Sequence, residues 1–244
     1  MDSDDFWDDQ NGLENLLKDL SQVKYDIDFL IFNYKRYFQK DNKYNDRPDF
    51  SKTLISTIEK QKKIELLLKN SFIPISSWGK IIKLGFLKDK NINFIEGSNA
   101  EDIPWFILLL EKCNNFALSN LKFHVYRKQV PGAGTYSFNP KTFNDLLKIL
   151  ESESLRLKED FNNPLQYQIL SFLAYQYSIL MSSAINIKGN DWEFYKKRLL
   201  ELKWLLKFDS VDKVKKVNKL VRFAPYVIVC KILNVYAKKV VNRL

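Results

Sequence analysis

The sequence predicts an α/β region over residues 1–140 followed by a helical region over residues 141–244, and three observations carry this. Apolar residues alternate with polar ones at Tyr25, Ile27, Phe29 and Ile31, and again at Leu121, Phe123 and Val125, the period of two expected of strands. Between these stretches the apolar period is helical. From Pro140 onward the pattern is helical almost throughout, and the change there is the only sharp compositional boundary.

The chain opens on Asp2-Ser3-Asp4-Asp5-Phe6-Trp7, a carboxylate cluster followed by two aromatics. Leu13, Leu16, Leu17 and Leu20 then recur at helical spacing and predict a short amphipathic helix over Gly12 to Ser21. A strand is expected over Tyr25 to Phe32, and the polar stretch Tyr34 to Asp49, with Pro48 near its end, reads as a loop. Leu54, Ile58, Leu66 and Leu67 place a helix over Ser51 to Lys69. After a turn at Pro74, Ser76 to Lys83 reads as a compact helical segment, and Asn91 to Ser98 as extended or loop. Glu101-Asp102-Ile103-Pro104-Trp105 opens a helix running to about Cys113, since acids in a first turn suit the helix dipole and proline is tolerated there. The strand at Leu121 to Tyr126 leads into a turn-rich Gln129 to Gly134. Helices follow at Lys141 to Glu151, Pro164 to Ser183 and Trp192 to Phe208, then two basic helices separated by Pro225.

With 244 residues and 45% apolar content the chain can bury a substantial core. Cys113 and Cys230 are too few for a disulfide framework, so a reducing compartment, the cytoplasm, is expected. The acidic start does not resemble a secretory signal. The most apolar stretches, Tyr167 to Met181 and Ala224 to Val235, are short for a membrane span or interrupted by Gln168, Gln176 and Lys231. The net charge of +10 is unevenly spread: residues 1–20 carry seven acids and one base, residues 211–244 nine bases and one acid. One end attracts cations and the other polyanions or an anionic membrane surface.

Hard divalent ions prefer carboxylate oxygens and usually share their shell with substrate phosphates, so Asp2, Asp4 and Asp5 suit Mg²⁺ or Mn²⁺ beside a diphosphate. A solvated acidic cluster is the plainer reading of the same residues. Glu101 and Asp102 are explained by capping and dipole, Trp78 by core packing, and His124, the only histidine, by a structural hydrogen bond. Arg127 in Tyr126-Arg127-Lys128 could clamp a phosphate or simply end an exposed strand.

The order of these segments resembles the second half of the inverting family-2 glycosyltransferases of the GT-A fold. Asp2 to Trp7 looks like the acidic motif that ends a central strand of that family. Ser77-Trp78-Gly79-Lys80-Ile81-Ile82-Lys83 is similar to its "W-x-K" stretch, Phe94-Ile95-Glu96-Gly97 with Glu101-Asp102 to its "F-x-E-G…E-D" segment, and Tyr126-Arg127 with Pro131-Gly132 to its "Y-R…G-S" element. The resemblance covers roughly residues 1–140, and Ala133 departs from it, standing where the family carries serine. It implies an incomplete Rossmann-like domain lacking its N-terminal nucleotide-binding half, followed by a helical C-terminal region. It further implies metal-dependent sugar transfer from a nucleotide-sugar to a saccharide or lipid-linked acceptor in bacterial cell-surface polysaccharide synthesis. Asp2 and Asp4 would hold the metal and, with Asp5 and Arg127, the donor diphosphate. Asp102 would be the general base, supported by Glu101, and Trp78 and Trp105 would stack on sugar.

With Met1 standing where the family has a buried strand residue, a severed reading frame is expected, its missing half supplied by an upstream fragment and its transfer activity poor in isolation. The alternative is a non-catalytic membrane- or polyanion-binding module, resting on charge alone. A glycoside hydrolase ranks last, because the acidic cluster and Arg127 have no part in its two-carboxylate chemistry. The basic residues between 211 and 244 alternate with Val214, Val217, Val227, Ile228, Ile232 and Val235, a pattern suited equally to an anionic membrane face and to a helix pair packed on the domain with its lysines solvated.

Overall fold

The computed structural model describes residues 2–70, 73–130, 138–158, 163–187, 189 and 191–241. The chain forms two compact units, one of Met1–Lys63, Pro74–Phe94 and Trp105–Ser137, the other of Ile64–Ile73, Ile95–Pro104 and Phe138–Leu244.

The first unit begins with β1 (Phe6–Trp7) and α1 (Gly12–Ser21). Leu16 on α1 is fully buried and packs with Ile27, Leu30, Phe32, Ala117 and Phe123, while Leu13 and Leu17 stay exposed. Gly12 opens this helix because nothing larger fits. A Cβ there would lie 2.3 Å from Cγ of Phe123. Next come β2 (Phe29–Phe32), β3 (Lys35–Phe38) and β4 (Lys43–Asp46), then α2 (Lys52–Ser56), α3 (Lys60–Lys69), β5 (Lys80–Ile82) and α4 (Leu84–Asp89). The unit closes with α5 (Asp102–Lys112) from Trp105 onward, β6 (Phe116–Ser119) and β7 (His124–Lys128), while α3 beyond Lys63 and the first three residues of α5 are assigned to the second unit.

Two sheets result, one ordered β5-β2-β6 and the other β1-β7-β3-β4. They share two broken strands: β2 runs on into β3 and β6 into β7, and both halves pair in parallel, Phe29 opposite Phe116 and Lys35 opposite Val125. Asparagines satisfy the backbone at each break. Asn33 donates from Nδ2 to the Pro48 carbonyl (3.0 Å) and accepts the Tyr34 N–H at its Oδ1, and Asn120 exchanges two bonds with the backbone of Phe50.

Several sequence expectations need correction here. All four residues of β2 are buried, because the strand is central and covered on both faces, so the regular strand is shorter than Tyr25–Phe32 and does not alternate. The stretch read as a loop holds the β3–β4 hairpin, whose turn places Asn42 at φ 45°, a conformation asparagine tolerates. The helix expected over 51–69 is two helices, broken where Thr57 turns extended. Ser76 to Lys83 is not helical: a 3₁₀ turn at Ser77–Gly79 leads into β5. Strand β6, a continuously buried Phe-Ala-Leu-Ser, and helix α4 had no sequence signal that separated them from their surroundings.

The second unit is helical from α6 (Pro140–Arg156) through α7 (Pro164–Ala184) and α8 (Asp191–Glu201) to α9 (Asp212–Phe223) and α10 (Tyr226–Val241). Asn139 and Asn163 cap α6 and α7, each followed by proline at the first helical position. Helix α7 is apolar on nearly every side and forms the centre of this unit. The Tyr177 hydroxyl on it donates to the Leu199 carbonyl (2.7 Å) and lies 3.0 Å from the Tyr226 hydroxyl. The helix expected over Trp192–Phe208 is interrupted at Leu202 and continues as a 3₁₀ turn over Lys203–Lys207. Pro225 separates α9 from α10, as its missing N–H dictates.

The two parallel strand pairs fit an incomplete Rossmann-like domain, and the helices from Pro140 onward fit the helical region expected after it. Among the described residues no helix is long and apolar enough to cross a membrane.

Candidate active site

The first unit concentrates its chemistry where β1 pairs antiparallel with β7. Trp7 lies opposite His124 and Phe6 opposite Val125, which draws the acidic opening onto the end of the sheet. Asp5 has no solvent exposure in its side chain. Its Oδ1 accepts the Arg127 backbone N–H (2.9 Å) and its Oδ2 faces Nε2 of His124 (3.0 Å). Burial lowers the His124 pKa, an effect that the hydrogen bond to Asp5 only partly offsets, and Nε2–H donates to the Asp5 carboxylate.

Trp78 covers the other side of this histidine. Its ring stacks on His124 with centroids 4.2 Å apart and planes 15° from parallel. Tyr34 meets Trp78 edge to face at 4.8 Å, and Tyr126 lies 5.4 Å from Trp78 and 6.3 Å from Tyr34. The Arg47 guanidinium sits 4.5 Å over the Tyr34 ring, and the Lys128 ammonium 4.3 Å over Tyr126. The loop presenting Trp78 is held by a buried cation: Lys80 donates to the carbonyls of Pro74 (2.7 Å), Ile75 (3.1 Å) and Ser76 (2.7 Å). Lys80 is thus what the "W-x-K" spacing provides, a positioning residue two places after the tryptophan.

Asp2 is exposed and Asp4 half-buried, both leading into this cluster. The Asp2 pKa is raised, first by partial burial and then by the charge of Asp5, with Asp4 adding to it. Among the described residues no three His, Cys, Asp or Glu side chains converge as a metal cage. Two carboxylates under mutual repulsion nonetheless fit the share that a protein contributes when Mg²⁺ or Mn²⁺ takes its remaining ligands from a diphosphate and water.

The other expected residues are placed differently. Asp5 is buried with both carboxylate oxygens hydrogen-bonded within the chain, to His124 and to the Arg127 backbone. Arg127 leaves β7 on the face opposite His124 and Tyr126, by the alternation of a strand, and its guanidinium donates to Gln39 Oε1 (2.7 Å). Lys128 is the cation that shares the aromatic face. Trp105 is a core residue, 4% exposed and stacked on Phe94 at 4.7 Å, so it offers no open face to a sugar. Glu101 and Asp102 are half-buried and belong to the second unit. The segment leading to them is tied to α6, where Asn99 donates to Asp145 from its backbone N–H (3.0 Å) and Lys141 bridges the Gly97 carbonyl (2.5 Å) and Asp145 (2.6 Å). These bonds hold the Asp145 carboxyl below its ordinary range. The Pro131-Gly132-Ala133-Gly134 segment and Met1 lie outside the described residues.

No protein-family model matches the chain, and a search of curated proteins by sequence finds no match. Among solved structures, residues 1–349 of S. aureus TarS, a glycosyltransferase crystallised in complex with UDP-GlcNAc, superpose with a TM-score of 0.57 over 98% of this chain, at 14% identity. The fold is glycosyltransferase-like. The chain spans 66% of the length of that TarS chain.

Proposed function

We propose that this chain is an inverting, family-2-type glycosyltransferase that takes a nucleotide-sugar as donor and serves cell-surface polysaccharide synthesis. The observation that carries the reading is the pairing of an open carboxylate pair, Asp2 and Asp4, with an aromatic platform of Trp78, Tyr34 and Tyr126 on a glycosyltransferase-like fold. The TarS structure holds UDP-GlcNAc, and a uridine-diphosphate sugar is the donor class proposed here.

Each part has a defined task. The flat faces of Trp78 and Tyr126 suit the apolar face of a sugar or a nucleobase, and Lys128 and Arg47 supply positive charge along the same platform. Asp2 and Asp4 would hold Mg²⁺ or Mn²⁺, which when bound neutralises charge on the departing diphosphate. His124 and Asp5 keep Trp78 and the β1–β7 pairing in place from below. In transfer an acceptor hydroxyl would attack the anomeric carbon as the bond from that carbon to the diphosphate breaks, giving up its proton to a general base, a role for which Asp102 is proposed on the family resemblance alone. Glu101 would support it.

Ligand-observed saturation-transfer NMR with UDP-GlcNAc tests this. Transfer to uridine and sugar protons is expected with Mg²⁺ present and lost when D2N and D4N are combined. Absence of transfer under every condition, or transfer indifferent to both Mg²⁺ and the substitutions, contradicts the proposal.

A further inference from the structure

Helices α9 and α10 leave an apolar face uncovered beside a dense array of cations. On α9, Val214, Val217 and Val221 are buried, whereas Lys213, Lys215, Lys216, Lys219 and Arg222 are exposed. On α10, Val229 and Cys230 are buried, yet Ile228, Ile232 and Val235, spaced four and three residues apart on one stripe, remain exposed. Phe223, at the end of α9, is 88% exposed. An apolar groove of about 380 Å³ runs between α7, α9 and α10, lined by Ile179, Leu220, Ile232 and Tyr236 together with Lys213 and Lys216. The Lys213 ammonium stands 5.9 Å over the ring of Tyr175 beside it. Such a face is larger than scattered surface apolars require and marks a contact surface.

Its charge selects the occupant. Asp212 is the only acid between residues 211 and 241, and it is paired with Lys215 at 3.2 Å. A second copy of this chain would set like charge against like. A nucleic acid would match the lysines but leave the exposed stripe of Ile228, Ile232 and Val235 in water, because that stripe offers no aromatic face on which a base could stack. An anionic bilayer satisfies both halves: headgroups meet lysine while the acyl boundary covers the isoleucines, Val235 and Phe223.

We propose that the α9–α10 face of the second unit docks on an anionic phospholipid bilayer, lying on the surface with its groove open to lipid. The experiment is co-sedimentation of the full chain with vesicles of phosphatidylcholine alone and of phosphatidylcholine mixed with phosphatidylglycerol. Binding is expected only with the mixed vesicles and is lost at high salt. Replacing both Lys213 and Lys216 by Gln lowers the partition coefficient about thirty-fold, each lysine near such a surface contributing roughly five-fold. Ile232→Asp lowers it as well and, because this side chain is exposed, leaves the thermal midpoint in place. Equal binding to both vesicle types, or binding unmoved by all three substitutions, overturns the proposal. So does a concentration-dependent dimer that Ile232→Asp breaks in a protein that ignores vesicles, or RNA binding that survives Ile232→Asp in its place. Vesicle binding and sugar transfer stand or fall separately.

Discussion

Asp5 and its neighbours Asp2 and Asp4 are three like residues with unlike work. Alanine at Asp5 strands the buried His124 Nε2–H and the part-buried Arg127 N–H, at about 1–3 kcal/mol for a buried group left unpaired and less for the part-buried one. Chemical denaturation is therefore expected to show a loss of roughly 2–5 kcal/mol for Asp5→Ala, while Asp2→Ala and Asp4→Ala stay within about 0.5 kcal/mol of the parent. Equal effects at all three positions would contradict the division between support and ligand contact. Lys63 gives a second test at this scale. Its buried ammonium donates to Tyr25, Asn115 Oδ1 and the Phe116 carbonyl, and burial lowers its pKa from the ordinary 10.5 to about 8. Between those two values the unfolded chain binds the proton that the fold has released, so this group makes stability rise with pH from about 8 towards 10.5. Lys63→Met removes that rise. The stability of the parent relative to the variant should rise as pH increases from about 8 towards 10.5, and parallel pH curves would contradict this.

At the scale of elements, α1 and its glycine show how closely the helical layer meets the sheet. Gly12→Ala drives a methyl into Phe123 near its Cβ, which cannot swing aside, and is expected to cost about 1–3 kcal/mol although alanine favours helix. An unchanged unfolding midpoint would show that the layer has slack. Most helices were legible in the sequence because leucine spacing and Pro225 speak locally, although α4 carried no signal and the helices expected over 51–69 and 192–208 proved interrupted. The strands were less so: the alternation at Tyr25 to Ile31 located β2 but gave out within it, where all four residues are buried, and β6 is an apolar run with no alternation to read. The β3–β4 hairpin hid in polar residues, since an exposed edge strand such as Lys43–Asp46 lacks an apolar face. The site shared this pattern. Asp2, Asp4 and Trp78 stood out by their motifs, and Lys80 by its spacing from Trp78. Tyr34, Arg47 and Lys128 did not, because only the pairing of β3 beside β7 brings residues so distant in sequence onto one face. Trp105 and Arg127 misled for the complementary reason, as sequence gives a residue type without the direction of its side chain.

For the whole molecule, the uneven charge visible in the sequence maps onto two kinds of surface. Acids gather at the β1–β7 end of the first unit and bases on the last two helices of the second, so the proposed metal-held donor and the proposed anionic bilayer would use separate patches. The division into a mixed α/β region and a helical one was recoverable from the change of period near residue 140, whereas the parallel pairing of the strands was not. The likeness in fold to TarS agrees with it at an identity, 14%, too low for sequence alone to carry. The aromatic platform of the first unit is proposed to receive a nucleotide-sugar. Photolabelling with an azido-uridine-diphosphate sugar, followed by peptide mapping, tests it most directly. The account predicts Mg²⁺-dependent label, displaced by unmodified UDP-sugar, on peptides carrying Tyr34, Trp78 or Tyr126; displaceable label confined to the helices beyond Pro140, or none that UDP-sugar displaces, would contradict it.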